Sequence, residues 1–288
     1  MPEISVCIVN WNTCDHLRAC LRSLRDHAGG RELEVLVVDN ASADGSVAMV
    51  KEQYPEVRLF ALEENTGYAA GNNLALREAT GRYHLLLNPD IVIEPGAVAT
   101  LAGFLDERPA AAAVAPRLRH QDGSVQLSCR SFPNPDVILY EALGLSRLFP
   151  KSKRFGKYRM SWWDYDESRP VDQPMASALM IRQEALAQVG TFDESFPIFF
   201  NDVDLCRRLW DAGWEVWFTT EAEMIHEGGA STRQVRRRMI RESHRSMVNY
   251  YRKHYRGKVC PLAYLAAVAT LHASLYARLA AAALVGQR

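Results

Sequence analysis

The 288-residue chain has no net charge, no closely spaced cysteine pair, no histidine cluster at zinc-binding spacing and no internal repeat. Each absence removes a class of function. Lys and Arg (34) cancel Asp and Glu (34), so no global field gathers nucleic acid, and no nucleic-acid partner is expected. Six cysteines without a C-x-x-C pair exclude a zinc ribbon or a thioredoxin-like centre; they read as reduced, mostly buried thiols of a cytosolic protein. Residues 1–7 carry no basic stretch leading into an apolar run, so no secretory signal is expected. No Gly-rich, Lys- or Arg-bearing loop follows the first apolar run, and no Ser or Cys stands in a nucleophile motif. Phosphate-loop chemistry and covalent catalysis are both disfavoured.

What is present is an ordinary globular composition, 48% apolar and 24% charged, which excludes collagen-like, coiled-coil and disordered classes. The length fits one large α/β unit or two smaller ones. Apolar, β-branched runs at 4–9, 35–38, 57–62 and 83–87 read as strands, and helical spacing follows them at 17–24, 46–53, 69–79 and 95–107, the last with Pro95 placed for a helix start. This alternation predicts a mostly parallel sheet covered by helices on both faces. Ligands then sit beyond the carboxyl ends of its strands.

From 115 to 170 the chain becomes polar and Pro-punctuated, with Lys151, Lys153, Arg154, Lys157, Trp162 and Trp163; this stretch is expected to be an excursion or mobile loop. Strands resume at 175–181 and 214–218 and helices at 183–189 and 203–210. A long basic helix over 232–255 and an alanine-rich one over 263–285 complete the pattern. Residues 228–260 hold ten Lys or Arg against the single acid Glu242.

Three strand ends carry polar residues that converge on one rim: Asn10-Trp11-Asn12, Asp39-Asn40 and Asn88-Pro89-Asp90. Asp39 can accept the ring N–H that uracil, thymine and guanine present, and that cytosine and adenine lack; a uridine or thymidine nucleotide is therefore favoured. Equally, Asp39 can cap the turn over 40–45. Asp90 can ligate a Mg²⁺-like ion that keeps several waters, while Asn88 can bond a sugar hydroxyl; an N-P-D turn can also be purely structural. Asp202 opens a helical stretch, where the dipole keeps a carboxylate ionised and fit to act as a general base. Asp204 is expected in a surface ion pair with Arg207 or Arg208. His226, before Gly228-Gly229, occupies an exposed, mobile position suited to a metal ligand or a pH-sensitive group.

Taken in order, Ile8-Val9-Asn10-Trp11-Asn12, Val38 through Ser46, Asn65 through Asn73, Leu87-Asn88-Pro89-Asp90 and Asn201 through Cys206 resemble glycosyltransferase family 2, most closely its rhamnosyltransferase-like branch. The resemblance covers roughly residues 4–250. It implies an α/β GT-A fold with a C-terminal helical extension. Residues 1–115 would form the nucleotide-sugar half and 116–230 the acceptor-binding, catalytic half of the same domain, with 231–288 as the extension. It further implies an inverting hexosyltransferase that uses a dTDP- or UDP-sugar, best dTDP-L-rhamnose, and a divalent metal, Mg²⁺ or Mn²⁺. By the same resemblance Asp202 is the catalytic base, and Asp90 and His226 are the metal ligands. Val9, Trp11, Asp39, Asn65, Gly67, Asn73 and Asn88 lie against the donor, and Ser177 and Asn201 against the acceptor.

Two positions depart from the family pattern. Asn88 replaces an Asp, and Asn201 stands where a Glu precedes the catalytic Asp. Loss of that Glu is expected to lower the pKa of Asp202. The substitutions leave a non-catalytic nucleotide-sugar-binding module as an alternative, and a nucleotidyltransferase on a related sheet is a third reading.

On the acceptor side Trp163 is a candidate stacking surface for a sugar, since a Trp162-Trp163 loop pair is expected to leave one ring exposed. The acceptor is a glycan or a polyprenyl-linked saccharide. The basic helix around Arg236-Arg237-Arg238 and the apolar helix after it can rest on an anionic membrane or pack on the domain. His272 and Arg278 argue against a bilayer span. The enzyme is expected in the cytoplasm, peripheral at the inner face of the cell membrane, in an oligomeric state that the sequence leaves open.

Overall fold

The computed structural model of the chain describes residues 2–27, 29–228 and 236–285. The first unit alternates strand and helix: β1 (Ile4–Asn10), α1 (Cys14–His27), β2 (Leu33–Asp39), α2 (Ser46–Gln53), β3 (Arg58–Ala61), α3 (Tyr68–Glu78) and β4 (Tyr83–Leu87). Every residue of β1 and β4 is buried, as a strand covered on both faces requires. α1 buries Leu17, Cys20, Leu21 and Leu24 at helical spacing and places Asp15 in its first turn and Arg25 in its last, matching the helix dipole.

The chain continues through β5 (Ile91–Ile93), α4 (Ala97–Glu107), β6 (Ala111–Arg119) and β7 (Cys129–Arg130). α4 does not start at Pro95. Gly96 adopts φ 79° and caps the helix, a conformation that glycine takes without a Cβ penalty. Then come α5 (Pro135–Ala142), α6 (Leu145–Leu148), β8 (Arg169–Pro170), β9 (Gln173–Pro174), β10 (Ala178–Arg182), α7 (Gln183–Val189), α8 (Asn201–Asp211), β11 (Glu215–His226), α9 (Arg236–Tyr255) and α10 (Pro261–Val285).

The stretch expected as an excursion or a mobile loop carries short elements, β7, α5, α6 and β8, mostly off the main sheet. β6 runs on to Arg119, and α5 opens with Pro135 in its first turn, a position where proline's missing N–H costs nothing. β11 also runs eight residues beyond the expected strand end at 218, reaching His226. Residues 232–235 of the expected basic helix, and the side chains of Arg236, Arg237, Arg238 and Arg278, lie outside the described residues.

Among the described residues the main sheet has nine strands, in the order β3-β2-β1-β4-β10-β6-β11-β5 with β8 on β11. The β3-β2-β1-β4 half is parallel, and β10 and β5 run against their neighbours. β6 crosses the expected boundary at 115 while paired with both β10 and β11, so the sheet is continuous through both halves. One apolar layer lies under α1, α2 and α4; the other joins α3, α7, α8 and the α9–α10 pair.

α8 and α9 are fastened by a buried ion cluster. Asp204, expected at the surface, is 0% exposed. It accepts hydrogen bonds from Arg208 Nε at 2.8 Å and His254 Nε2 at 2.7 Å, with Lys253 Nζ at 2.7 Å. Hydrogen bonds from His254 and Lys253 overcome burial and hold its carboxyl at about 2, against an ordinary 3.8. That stabilisation is fully present above the ordinary value and is lost as pH falls through about 2. Asp204→Ala leaves the cations facing an empty socket and is expected to lower stability by about 3–5 kcal/mol in urea unfolding. The acid-side loss of stability expected of the parent should be correspondingly smaller in the variant.

Candidate active site

Strand register brings the polar strand ends together. Asn10 of β1 lies opposite Asp39 of β2, and Ile8 lies opposite Leu87 of β4, so all three strands end at one rim. β10 begins at the same rim, since Ala178 pairs with Leu87 and the backbone oxygen of Ser177 accepts from Asn88 N–H at 2.8 Å. At the far side His226, last residue of β11, pairs with Ile91, first residue of β5. This register sets Asp90 beside His226. The rim encloses a cavity of about 750 Å³ lined by residues from both halves.

Asp90, His226 and Asp202 line this one cavity. His226 is 2% exposed, not mobile or open as expected. Its Nδ1 lies 2.6 Å from Gln126 Oε1; the amide oxygen can only accept, so Nδ1 donates, and in the neutral ring Nε2 is then the acceptor nitrogen. Nε2 is buried without a hydrogen-bond partner, 3.4 Å from Asp90 Oδ1. Asn88 also lines the cavity, and its Oδ1 is likewise buried and unpartnered. One carboxylate and one bare imidazole nitrogen suit a divalent ion that takes its other ligands from a diphosphate and water. Among the described residues no group of three or more His, Cys, Asp or Glu side chains is placed to hold a metal without such help.

Asp202 sits at the start of α8, half-buried. Its Oδ1 accepts from Val203 N–H at 2.8 Å and its Oδ2 from Ala176 N–H at 3.4 Å. Burial outweighs these bonds and raises its pKa above the ordinary aspartate value. Asn201 is buried, and its amide donates to the carbonyls of Phe196 and Ile198 at 3.2 and 3.0 Å. A glutamate could not make these donations. Asn201 lines the cavity, and its amide nitrogen ties the loop beneath α8. The preceding Phe200 has φ 68°, a costly conformation for a residue with a Cβ, and this loop holds it.

The remaining expected residues divide. Val9, Trp11, Asn65, Gly67 and Ser177 line the cavity. At Gly67, φ is 92° and a Cβ would stand 3.0 Å from Pro197 O, so the close approach is to the protein's own 197 segment. Asp39 does not line the cavity. It is 1% exposed, with Oδ2 bonded to Asn10 Nδ2 at 2.7 Å and Oδ1 to Ser42 N–H at 2.8 Å, which is the turn-capping role. Asn73 is also turned away: its amide exchanges hydrogen bonds with the Phe192 backbone and donates to Glu194. Trp163 is corrected too. It is 5% exposed, stacked on Tyr165 at 4.1 Å between centroids and edge-on to Phe218, hence core.

Sequence reasoning missed Gln126, Tyr68, Met239 and Glu242, all of which line the cavity. Gln126 carries no sequence signal. Glu242 did carry one, as the only acid in a strongly basic segment.

The model of Glycosyl transferase family 2 matches residues 5–170. N-acetylglucosaminyl-diphospho-decaprenol L-rhamnosyltransferase of Mycobacterium tuberculosis is 33% identical over 240 residues, which cover 80% of this chain and 77% of that protein. Among solved structures, a mannosyltransferase from Pyrobaculum calidifontis, in complex with GDP-Man and Mn²⁺, superposes with a TM-score of 0.61 at 19% identity, covering 99% of this chain and 79% of that one. GalNAc-T7 with UDP, GalNAc and Mn²⁺ gives 0.58 at 14%, covering 78% and 43%. These two likenesses concern the fold, which is GT-A. The chain belongs to glycosyltransferase family 2, in its rhamnosyltransferase-like branch, and is a glycosyltransferase.

Proposed function

We propose that this enzyme transfers L-rhamnose from dTDP-rhamnose to a lipid-linked saccharide, with inversion and with a divalent metal. The observation that carries the reading is the single cavity in which Asp202 shares the lining with Asp90 and the buried, unpartnered Nε2 of His226. The sugar and the acceptor class follow the mycobacterial relative, whose name gives both an L-rhamnosyl product and a decaprenyl-diphosphate-linked acceptor.

In this reading an acceptor hydroxyl enters beside Asp202, and Asp202 takes its proton as the hydroxyl oxygen attacks the anomeric carbon. One C–O bond forms as the bond to the nucleoside diphosphate breaks on the opposite side, so the configuration inverts without a covalent enzyme intermediate. Burial raises the basicity of Asp202, which suits proton abstraction near neutral pH. A divalent ion held by Asp90 and His226 Nε2 would offset charge on the departing diphosphate. Gln126 keeps the His226 lone pair directed at that place. Val9, Trp11 and Asn65 lie against the nucleoside, Asn88 bonds a donor hydroxyl, and Ser177 faces the acceptor. Asp39 supports the pocket from beneath by holding Asn10 and the turn at Ser42.

A thermal-shift series tests the donor and the metal. dTDP and dTDP-sugars should raise Tm with Mn²⁺ or Mg²⁺ present, by an amount corresponding to about 2.7 kcal/mol at a hundredfold excess over Kd. Asp90→Ala should remove the metal-dependent part. An equal response to ADP would overturn the pyrimidine donor.

Asp202→Asn keeps an oxygen to accept from Val203 and relieves a buried charge. It is expected to cut kcat by about 10²–10⁴-fold without lowering Tm. The parent's kcat/KM should rise with pH through an acid limb displaced upward from an ordinary aspartate, because the base is protonated and idle below its raised pKa. A limb at the ordinary carboxylate position would count against Asp202 as the base.

A further inference from the structure

We infer that α5, α6 and α10 form a single surface that docks on an anionic lipid bilayer. Among the described residues eight large apolar side chains are exposed, and seven of them lie on these three neighbouring elements. Leu139 and Leu143 belong to α5 and its C-cap, and Leu148 and Phe149 to α6 and its C-cap, Leu148 at 70% exposure. Leu262, Leu265 and Tyr276 stand on α10, Leu262 at 77%. α10 packs on α5 and α5 on α6, so these side chains stand on three adjoining elements. A monomeric soluble protein seldom leaves so much apolar surface in one place.

α10 is two-faced. Ala267 and Leu271 are buried inward, while Leu262, Leu265, Ala269, His272 and Tyr276 are exposed at the three- and four-residue spacing of one helix face. No helix among the described residues is long and apolar enough to cross a membrane, so this face would lie on a bilayer and not pass through it.

Charge selects the occupant. Exposed Arg147, Lys153 and Arg154 adjoin α6, and exposed Arg252, Arg256 and Lys258 precede α10. No Asp or Glu follows Glu242 in the chain. α5 also carries Asp136 and Glu141, but these pair with Lys157 and Arg159; the remaining exposed cations match anionic headgroups over an acyl boundary. α9 links this surface to the cavity: Met239 and Glu242 line the cavity, and the helix packs on α10. The use of the surface, presenting a lipid-linked acceptor to the cavity, rests on the function proposed above; the contact itself does not.

Vesicle flotation of the full chain, without donor or acceptor, tests the contact. The protein should float with phosphatidylcholine vesicles containing phosphatidylglycerol, and markedly less with phosphatidylcholine alone or at high salt. Leu143→Glu with Leu148→Glu, and separately Leu262→Glu with Leu265→Glu, should each weaken binding at least about tenfold. Arg147→Ala with Lys153→Ala and Arg154→Ala should remove the preference for phosphatidylglycerol. The four leucines are exposed, so circular dichroism and Tm should be unchanged in those variants; loss of the Arg154 bond to Tyr140 should lower Tm of the cation variant slightly, and the donor-dependent thermal shift should be unchanged in all three. That last measurement separates failure of this surface from failure of the donor reading. Absence of parent binding to phosphatidylglycerol vesicles would overturn the inference. So would unaltered binding by both leucine pairs, or a solution dimer in sedimentation velocity that the same pairs abolish.

Discussion

The site depends on one register. β5 is three residues long and lies antiparallel on the end of β11, with Ile91 opposite His226. A slip of one residue would turn His226 to the other face of the sheet and part it from Asp90. The register is held from both ends: Ile91 and Ile93 are buried in the layer under α1 and α4, and Glu227 N–H donates to the Asp90 carbonyl at 3.2 Å. Only with that pairing in place does the bond from His226 Nδ1 to Gln126 matter, because it then directs the remaining nitrogen at Asp90. The metal-binding capacity proposed here is thus a product of β-sheet pairing between segments more than 130 residues apart.

Asp202 is placed by a different device. α8 starts after a left-handed Phe200, and the loop that imposes this conformation is tied by the Asn201 amide to two carbonyls. Replacing an acid by an amide at 201 removes one negative charge beside the base, yet Asp202 still has a raised pKa because enclosure is the larger effect. The exchange gives up an acid and provides two donated bonds that fix the start of α8, and with it the proposed base.

The first half of the fold was legible because its signals are local. Near-continuous apolar strands alternate with helical spacing up to residue 87, and α2 and α7 fall where periodicity puts them. Whether a polar residue faces ligand or protein is not local. Asp39, Asn73 and Trp163 each sit in a sequence context suited to ligand contact, but Asn10 with Ser42, the Phe192 backbone, and Tyr165 with Phe218 engage them instead. Asp204 shows the same limit: Arg208 four residues on was visible, while Lys253 and His254, about fifty residues away, decide its burial. Gln126 was invisible for the same reason, since its partner lies 100 residues on.

The Asp204 cluster also explains how the C-terminal helices can serve both the cavity and the surface. α9 is held near its end by Asp204 and by the buried Tyr250, Tyr251 and Tyr255. Near its start it contributes Met239 and Glu242 to the cavity lining, and along its length it carries α10, with His244 Nε2 bonded to Ser274 Oγ at 3.1 Å. A helix fixed in this way cannot tilt α10 without disturbing the cavity wall. Glu242, the last acid in the sequence, lines the cavity on this same helix.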